Sequence, residues 1–288
     1  MRNWKPILFL VFYLTGGFFY SASGQSVLWK AEKNGKCAYL LGTFHVPVTE
    51  FPAIKKQIDS LIPKMNLVLL ELNPKDVGSL AIIQYFAADS TYSLKDLVGE
   101  KKYKTIARYF EKEFHTQVEQ FQSFQPAFLM SLVVSKIALK NQSADLAMDK
   151  YIGRVASEQA KKVVGLEKPE EQVKALTTLS YKEQGELLYR TVRKAHKGEK
   201  EINQMKRYYL RGKLDYLLRL SDREWKDFPA YKKALIHHRN HRLVERALPY
   251  LEEGDVLLAV GALHYPGNDG ILALLREAGF RITPLPIQ

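Results

Sequence analysis

The run DVLLAVGALH, Asp255 to His264, sets the reading of the fold: an apolar strand through Val260 stops on Gly261 and presents His264 three residues later. YLLGTFH, Tyr39 to His45, does the same near the other end of the chain, with Gly42 ahead of His45. Continuous apolar runs of this kind suit strands buried on both faces, as in parallel sheets. The carboxyl ends of such strands line the ligand crevice of an open α/β sheet. A glycine at each exit suits positive φ and close approach by backbone or ligand, and both are expected at Gly42 and Gly261.

Working outward, Val27–Lys33 and Lys36–Thr43 read as strands joined by Asn34-Gly35, a pair suited to a tight hairpin. Ala53–Met65 has helical periodicity, and NLVLLEL, Asn66 to Leu72, is a compact strand carrying Glu71. This order suggests a crossover unit with parallel pairing. From about Pro74 to Asp145 the pattern is helical, clearest over Glu100–Phe114 and Pro126–Lys140, and a further helix follows over Asp145–Lys161. KVVGL, Lys162 to Leu166, is a short strand before Glu167. Helices are then expected from Glu170 to about Arg219, over Tyr231–Leu248 and over Asp269–Ala278, capped by Gly279, with Phe280–Leu285 as a closing strand. The expected fold is α/β, a mixed central sheet flanked by helices, with a helical insertion at about 75–145 that serves as a lid.

The chain has 288 residues, 46% hydrophobic and 11% aromatic, enough to bury a large core in one domain over 25–288. Arg2 and Lys5, the apolar run Ile7–Tyr20 and the small residues Ser21 to Gly24 have the order of a secretory signal over 1–24, cut before Gln25. The apolar run is shorter than the ~20 residues of a bilayer span, so an exported protein with no stable membrane span after signal removal is expected, periplasmic or secreted. Cys37, the single cysteine, excludes an internal disulfide and a thiolate zinc site, and reads as a buried structural thiol. The net charge of +12 is carried by lysines scattered over the expected helices. They read as solvated faces rather than a nucleic-acid surface, with attraction to anionic envelope surfaces as a lesser use. Oligomeric state is not legible.

Four polar groups end core strands: His45, Glu71, Glu167 and His264. Two imidazoles and a carboxylate are a familiar set for a catalytic divalent metal with an open position for water. On that reading His45, Glu71 and His264 bind the metal and Glu167 takes a proton; without metal, one His and one Glu form an acid/base pair. LIHHRNHRL, Leu235 to Leu243, offers a rival, because His237 and His241 stand one helical turn apart. The zinc-helix signature places glutamate after the first histidine, where this chain has His238. Arg239 and Asn240 are better suited to an anionic or oxyanionic group.

These segments resemble the TraB/GumN family, related to the Tiki proteases. The resemblance runs through LLGTFHVP (Leu40–Pro47), LLELNP (Leu69–Pro74), LAMDKYIGRVASEQAKKVVGLEKPEEQ (Leu146–Gln172), HHRNHR (His237–Arg242) and AVGALHYPGNDGILALLREAGFRITPL (Ala259–Leu285). It implies that His45, Glu71 and His264 form the active-site set, with Asp149, Glu167, Arg239 and Asn240 at matching positions. It further implies an erythromycin-esterase-like and haem-protein-like fold, a peptide or protein substrate, with Asp149 and Asn240 toward it, and a divalent metal, manganese or cobalt, with zinc chemically admissible. The chain departs from the family at Tyr265, where leucine is common before the proline, a change expected to alter pocket shape. Relatives with a haem-binding role leave open a sequestering protein, for which Tyr208, Tyr209 and Tyr216 offer aromatic surface.

Overall fold

The computed structural model describes residues 25–75, 82–89, 91–139, 142–195 and 197–287. The expected signal segment, 1–24, lies outside them, as does part of the expected insertion.

The first hairpin forms where the sequence places it. β1 (Leu28–Lys33) pairs antiparallel with β2 (Lys36–Thr43). The turn between them takes φ +49° at Asn34 and +76° at Gly35, the two positive values that a tight twisted hairpin requires. α1 (Pro52–Leu61) starts on proline and buries Ile54, Ile58 and Leu61 at helical spacing before β3 (Leu67–Leu70). β4 (Lys162–Gly165), β5 (Val256–Gly261) and β6 (Arg281–Leu285) complete a six-stranded sheet in the order β4-β3-β5-β2-β1-β6. β4, β3, β5 and β2 run parallel, and β1 runs against both its neighbours. The fold is therefore mixed α/β, as the sequence predicts.

One expectation needs correction. β2 and β3 are parallel but do not pair: β5, some 190 residues downstream of β3, sits between them. The reason is burial, since β5 is apolar almost throughout and the centre of the sheet excludes water from both faces. This insertion brings the Gly261 exit beside the Gly42 exit and next to Glu71.

Helices surround the sheet. α2 (Leu94–Val98), α3 (Glu100–Phe114) and α4 (Pro126–Leu139) precede α5 (Met148–Glu158), which starts three residues later than expected because a short 3-10 turn occupies Ala144–Leu146. α6 (Pro169–Leu176), α7 (Tyr181–Ala195), α8 (Gly198–Leu210), α9 (Leu214–Glu224) and α10 (Pro229–Lys232) follow β4. A π-helical turn over Lys233–His237 leads into α11 (His238–Glu253), and α12 (Ile271–Glu277) precedes β6. Two apolar cores result. One lies against the sheet; the other joins Phe110, Leu129 and Val133 from the expected insertion to Val173, Leu188, Tyr231 and Ile236 from later in the chain. Among the described residues no helix is long and apolar enough to cross a membrane.

Cys37 is half-buried rather than buried, because β2 starts at an exposed hairpin end. Desolvation raises its thiol pKa, so it is a poor nucleophile.

Candidate functional site

The four strand-end groups converge at the carboxyl edge of the sheet. Past the ends of β3 and β4 the parallel ladder continues, with Leu166 N–H donating to Leu70 O and Glu167 N–H to Glu71 O, both at 2.8 Å. Glu71 and Glu167 are thus neighbouring rungs although 96 positions separate them in sequence. Two glycines permit this closeness: a Cβ at Gly165 would stand 2.5 Å from Asn73 N, and one at Gly153 on α5 would stand 2.6 Å from Pro74 Cγ.

The glycines of the two Gly-x-x-His turns serve by size and not by φ. Neither has positive φ, and Gly261 takes φ −52°. A Cβ on Gly42 would meet Ala262 Cα at 3.1 Å, and one on Gly261 would lie 3.0 Å from Glu71 Oε1 and 4.0 Å from His45 Nε2. Gly261→Ala is accordingly expected to push the Glu71 carboxylate out of place at a stability cost of about 1–3 kcal/mol. Chemical denaturation measures the cost, and an unchanged midpoint would mean that the space is slack.

Glu71 is held at both oxygens. Oε1 accepts from Gly261 N–H at 2.6 Å, and Oε2 accepts from Arg239 Nη2 at 2.6 Å and Gln172 Nε2 at 3.1 Å. Burial opposes its charge, but Arg239, His264 and His45 outweigh that and hold its carboxyl far below the usual carboxylate range. Glu71 is therefore an anion at neutral pH.

His264 is buried, and its tautomer follows from its neighbours. Asn240 Nδ2 donates to Asp269 O at 2.6 Å, which turns Asn240 Oδ1 toward His264 Nδ1, also at 2.6 Å. Oδ1 has no proton to give, so Nδ1 of the ring carries one. Burial pushes the His264 pKa down to about 4 against the pull of Glu71, so the ring is neutral at pH 7 and Nε2 keeps its lone pair. That atom lies 3.8 Å from Glu71 Oε1. A lone pair thus faces a carboxylate oxygen at a separation suited to two donors on one cation.

His45 is arranged in parallel. Its Nδ1 lies 3.4 Å from Asp149 Oδ1, in the first turn of α5, and its side chain is 66% exposed. Desolvation disfavours a proton there, yet Asp149 and Glu71 prevail and push the pKa up to about 9. Asp149 is thus paired with His45 while its side chain stays 37% exposed at the crevice.

Arg239 and Glu167 take other places than the sequence suggests. The π turn buries Leu235 and Ile236, and the first turn of α11 buries Arg239 and Asn240. Arg239 donates through Nε and Nη2 to Glu167 at 2.6–3.0 Å, through Nη2 to Glu71, and through Nη1 to Leu235 O. The side chain of Glu167 is 0% exposed and is also approached by Arg242 Nη2 at 3.3 Å. Neither Arg239, Glu167 nor Asn240, itself fully buried, presents a free polar edge to a bound molecule. Their geometry braces Glu71 and His264.

The rival pair separates. His237 Nδ1 lies 2.7 Å from Asp269 Oδ2, while His238 and His241 are exposed. Tyr265, the departure from the family pattern, does not shape a pocket: it is buried, stacks on Trp29 at 4.9 Å and donates to the Leu41 and Leu258 carbonyls. Tyr209 is likewise core, its hydroxyl donating to Gly42 O. Sequence reasoning missed Gln172, whose one signal was its place in the first turns of a helix starting just after a strand-end glutamate, and Asp269.

A divalent ion fits the donor types present, an anionic Glu71 beside the lone pair of His264 Nε2, with His45 as a third donor that gives up its Nε2 proton on ligation. Among the described residues no three His, Cys, Asp or Glu side chains stand as a closed metal cage.

The TraB/PrgY/gumN family model matches residues 27–284. The chain is 22% identical to metalloprotease TIKI2 of Xenopus tropicalis over 317 aligned positions, 91% of this chain and 60% of that protein. It is 21% identical to metalloprotease TIKI1 of Danio rerio, over 91% of this chain and 63% of the relative. The chain thus spans under two thirds of the length of these curated relatives.

Proposed function

This chain belongs to the TraB/PrgY/gumN family, and from that premise we propose that it is an exported, metal-dependent hydrolase of peptide bonds. The observation that carries the reading is the lone pair of His264 Nε2 set against ionised Glu71 Oε1 at 3.8 Å, with Asn240 fixing the tautomer. In water such a pair would repel, and in a buried crevice the repulsion is stronger, so a cation between them is the state the arrangement suits.

His45, Glu71 and His264 would hold the ion, manganese or cobalt by likeness to the family. When bound, it supplies an activated water and polarises the scissile carbonyl. The remaining work falls to the protein. Asn240 and Asp149 keep a proton on Nδ1 of each imidazole, Gly261 N–H and Gln172 orient Glu71, and Arg239 keeps it charged. Among the described strand-end and helix-start carboxylates, Glu71 and Asp149 reach the crevice and would carry proton transfer; Glu167 instead anchors Arg239.

Manganese or cobalt titration of residues 25–288, followed by cleavage of a peptide library, tests the proposal. Asp149→Ala and Asn240→Ala are each expected to weaken metal affinity about 10–100-fold, with Asn240→Asp restoring part of it by keeping Oδ1. Affinities unmoved by both alanines, measured by competition with a fluorescent chelator, would sink the assigned roles.

A further inference from the structure

The hairpin of α8 and α9 carries a surface that the crevice does not use. Leu210 closes α8 with 46% of its area exposed, one of few large apolar residues so placed. The same hairpin carries exposed Arg207, Arg211 and Arg219 and half-buried Lys213, and Asp215 is the only acid in sequence between Gln204 and Leu220. No ion pair is formed by these four cations among the described residues, whereas their neighbour Lys206 is buried against Glu50 at 2.8 Å. Tyr208 and Tyr216 pack ring to ring at 4.2 Å across the hairpin, with the Arg219 guanidinium 5.9 Å from the Tyr216 ring. An apolar tip, amphipathic aromatic rings and unpaired cations are the chemistry of a surface that rests at the headgroup level of an anionic bilayer.

A second observation points the same way. Gly212, in the turn at this tip, takes φ +64°, and a Cβ there would fall 2.1 Å from Ser26 N and 2.2 Å from Gln25 C. The chain therefore enters the fold against this hairpin, directly after the basic and apolar stretch Arg2 to Tyr20. The expected signal segment would thus deliver to the membrane, before its removal, a tip that combines exposed leucine, paired tyrosines and free cations.

We infer that the α8–α9 tip docks the folded domain onto an anionic lipid surface through Leu210, Tyr208, Tyr216, Arg207, Arg211 and Lys213. The same hairpin braces the crevice: Tyr209 holds the Gly42 carbonyl, and Leu218 packs where a Cβ on Gly267 would lie at 3.3 Å. Docking there keeps the crevice beside the bilayer, where a membrane-proximal substrate would meet it.

The test uses residues 25–288, since both apolar cores lie between Val27 and Ile287. Sedimentation with phosphatidylcholine vesicles, with and without phosphatidylglycerol, should show binding to the anionic vesicles alone, falling as salt rises. R207A/R211A/K213A should weaken it on the order of a hundredfold, each cation near the surface contributing about fivefold. Leu210→Asp should also weaken it at an unchanged thermal midpoint. Should the triple variant unfold, Arg211→Glu alone must lower binding severalfold. Equal binding to neutral vesicles, no binding to either, or anionic binding untouched by these variants would overturn the inference.

Discussion

Arg239→Ala is expected to lower the unfolding free energy by about 3–5 kcal/mol, the range for removing one partner of a buried ion pair. The guanidinium is 7% exposed and stands between two carboxylates, Glu71 at 11% and Glu167 at 0%. Its loss leaves both anions in the interior, with Arg242, at 3.3 Å and partly solvated, as a weak substitute. The sign of the pH dependence should also change. In the native protein Glu71 has a depressed pKa, so its contribution is full above the ordinary carboxylate range and drains away as pH falls through that lowered value. Without Arg239, burial acts on Glu71 with less opposition and raises its pKa, so acidification from neutral pH should relieve part of the deficit. Urea denaturation at pH 7 and pH 5 measures both effects. A loss below about 1 kcal/mol, or the same acid sensitivity in both proteins, would show that the network is not the brace described.

His264→Ala should abolish metal-stimulated peptide cleavage, with kcat/KM falling on the order of a thousandfold or more, and His45→Ala should do the same. The two differ in stability. His264 is buried and fixed by Asn240, so its removal opens a cavity and strands an amide oxygen; His45 is mostly exposed, so its removal opens no cavity and costs only its attraction for Asp149 and Glu71. Manganese is expected to raise the thermal midpoint of the native protein, and that rise should vanish in both variants. Cleavage that survives either change would remove that histidine from the reaction. Cleavage lost with the metal-induced rise intact would separate catalysis from ligation.

Much of this was legible along the chain. Asn34-Gly35 marked a hairpin because few residues accept two consecutive positive φ values, and VLLAVG, Val256 to Gly261, marked a buried strand because it is apolar throughout. His45, Glu71 and His264 were found together because strand ends in a parallel sheet share an edge. The roles of Arg239 and Glu167 were not legible. A residue type announces a charge, but whether that charge meets solvent, substrate or another side chain depends on burial, which is decided by partners far away in sequence.

The sequence by itself determined the elements, their apolar faces and the residue types at the strand ends, since backbone preference and hydrophobic periodicity act over a few neighbouring residues. Only the tertiary structure decided that β5 enters between β2 and β3, that Glu71 and Glu167 become adjacent rungs, and that Asn240 sets the tautomer of His264. Those outcomes depend on which long-range hydrogen bonds and buried charges can all be satisfied at once. That is a property of the assembled chain, which no local stretch of it encodes.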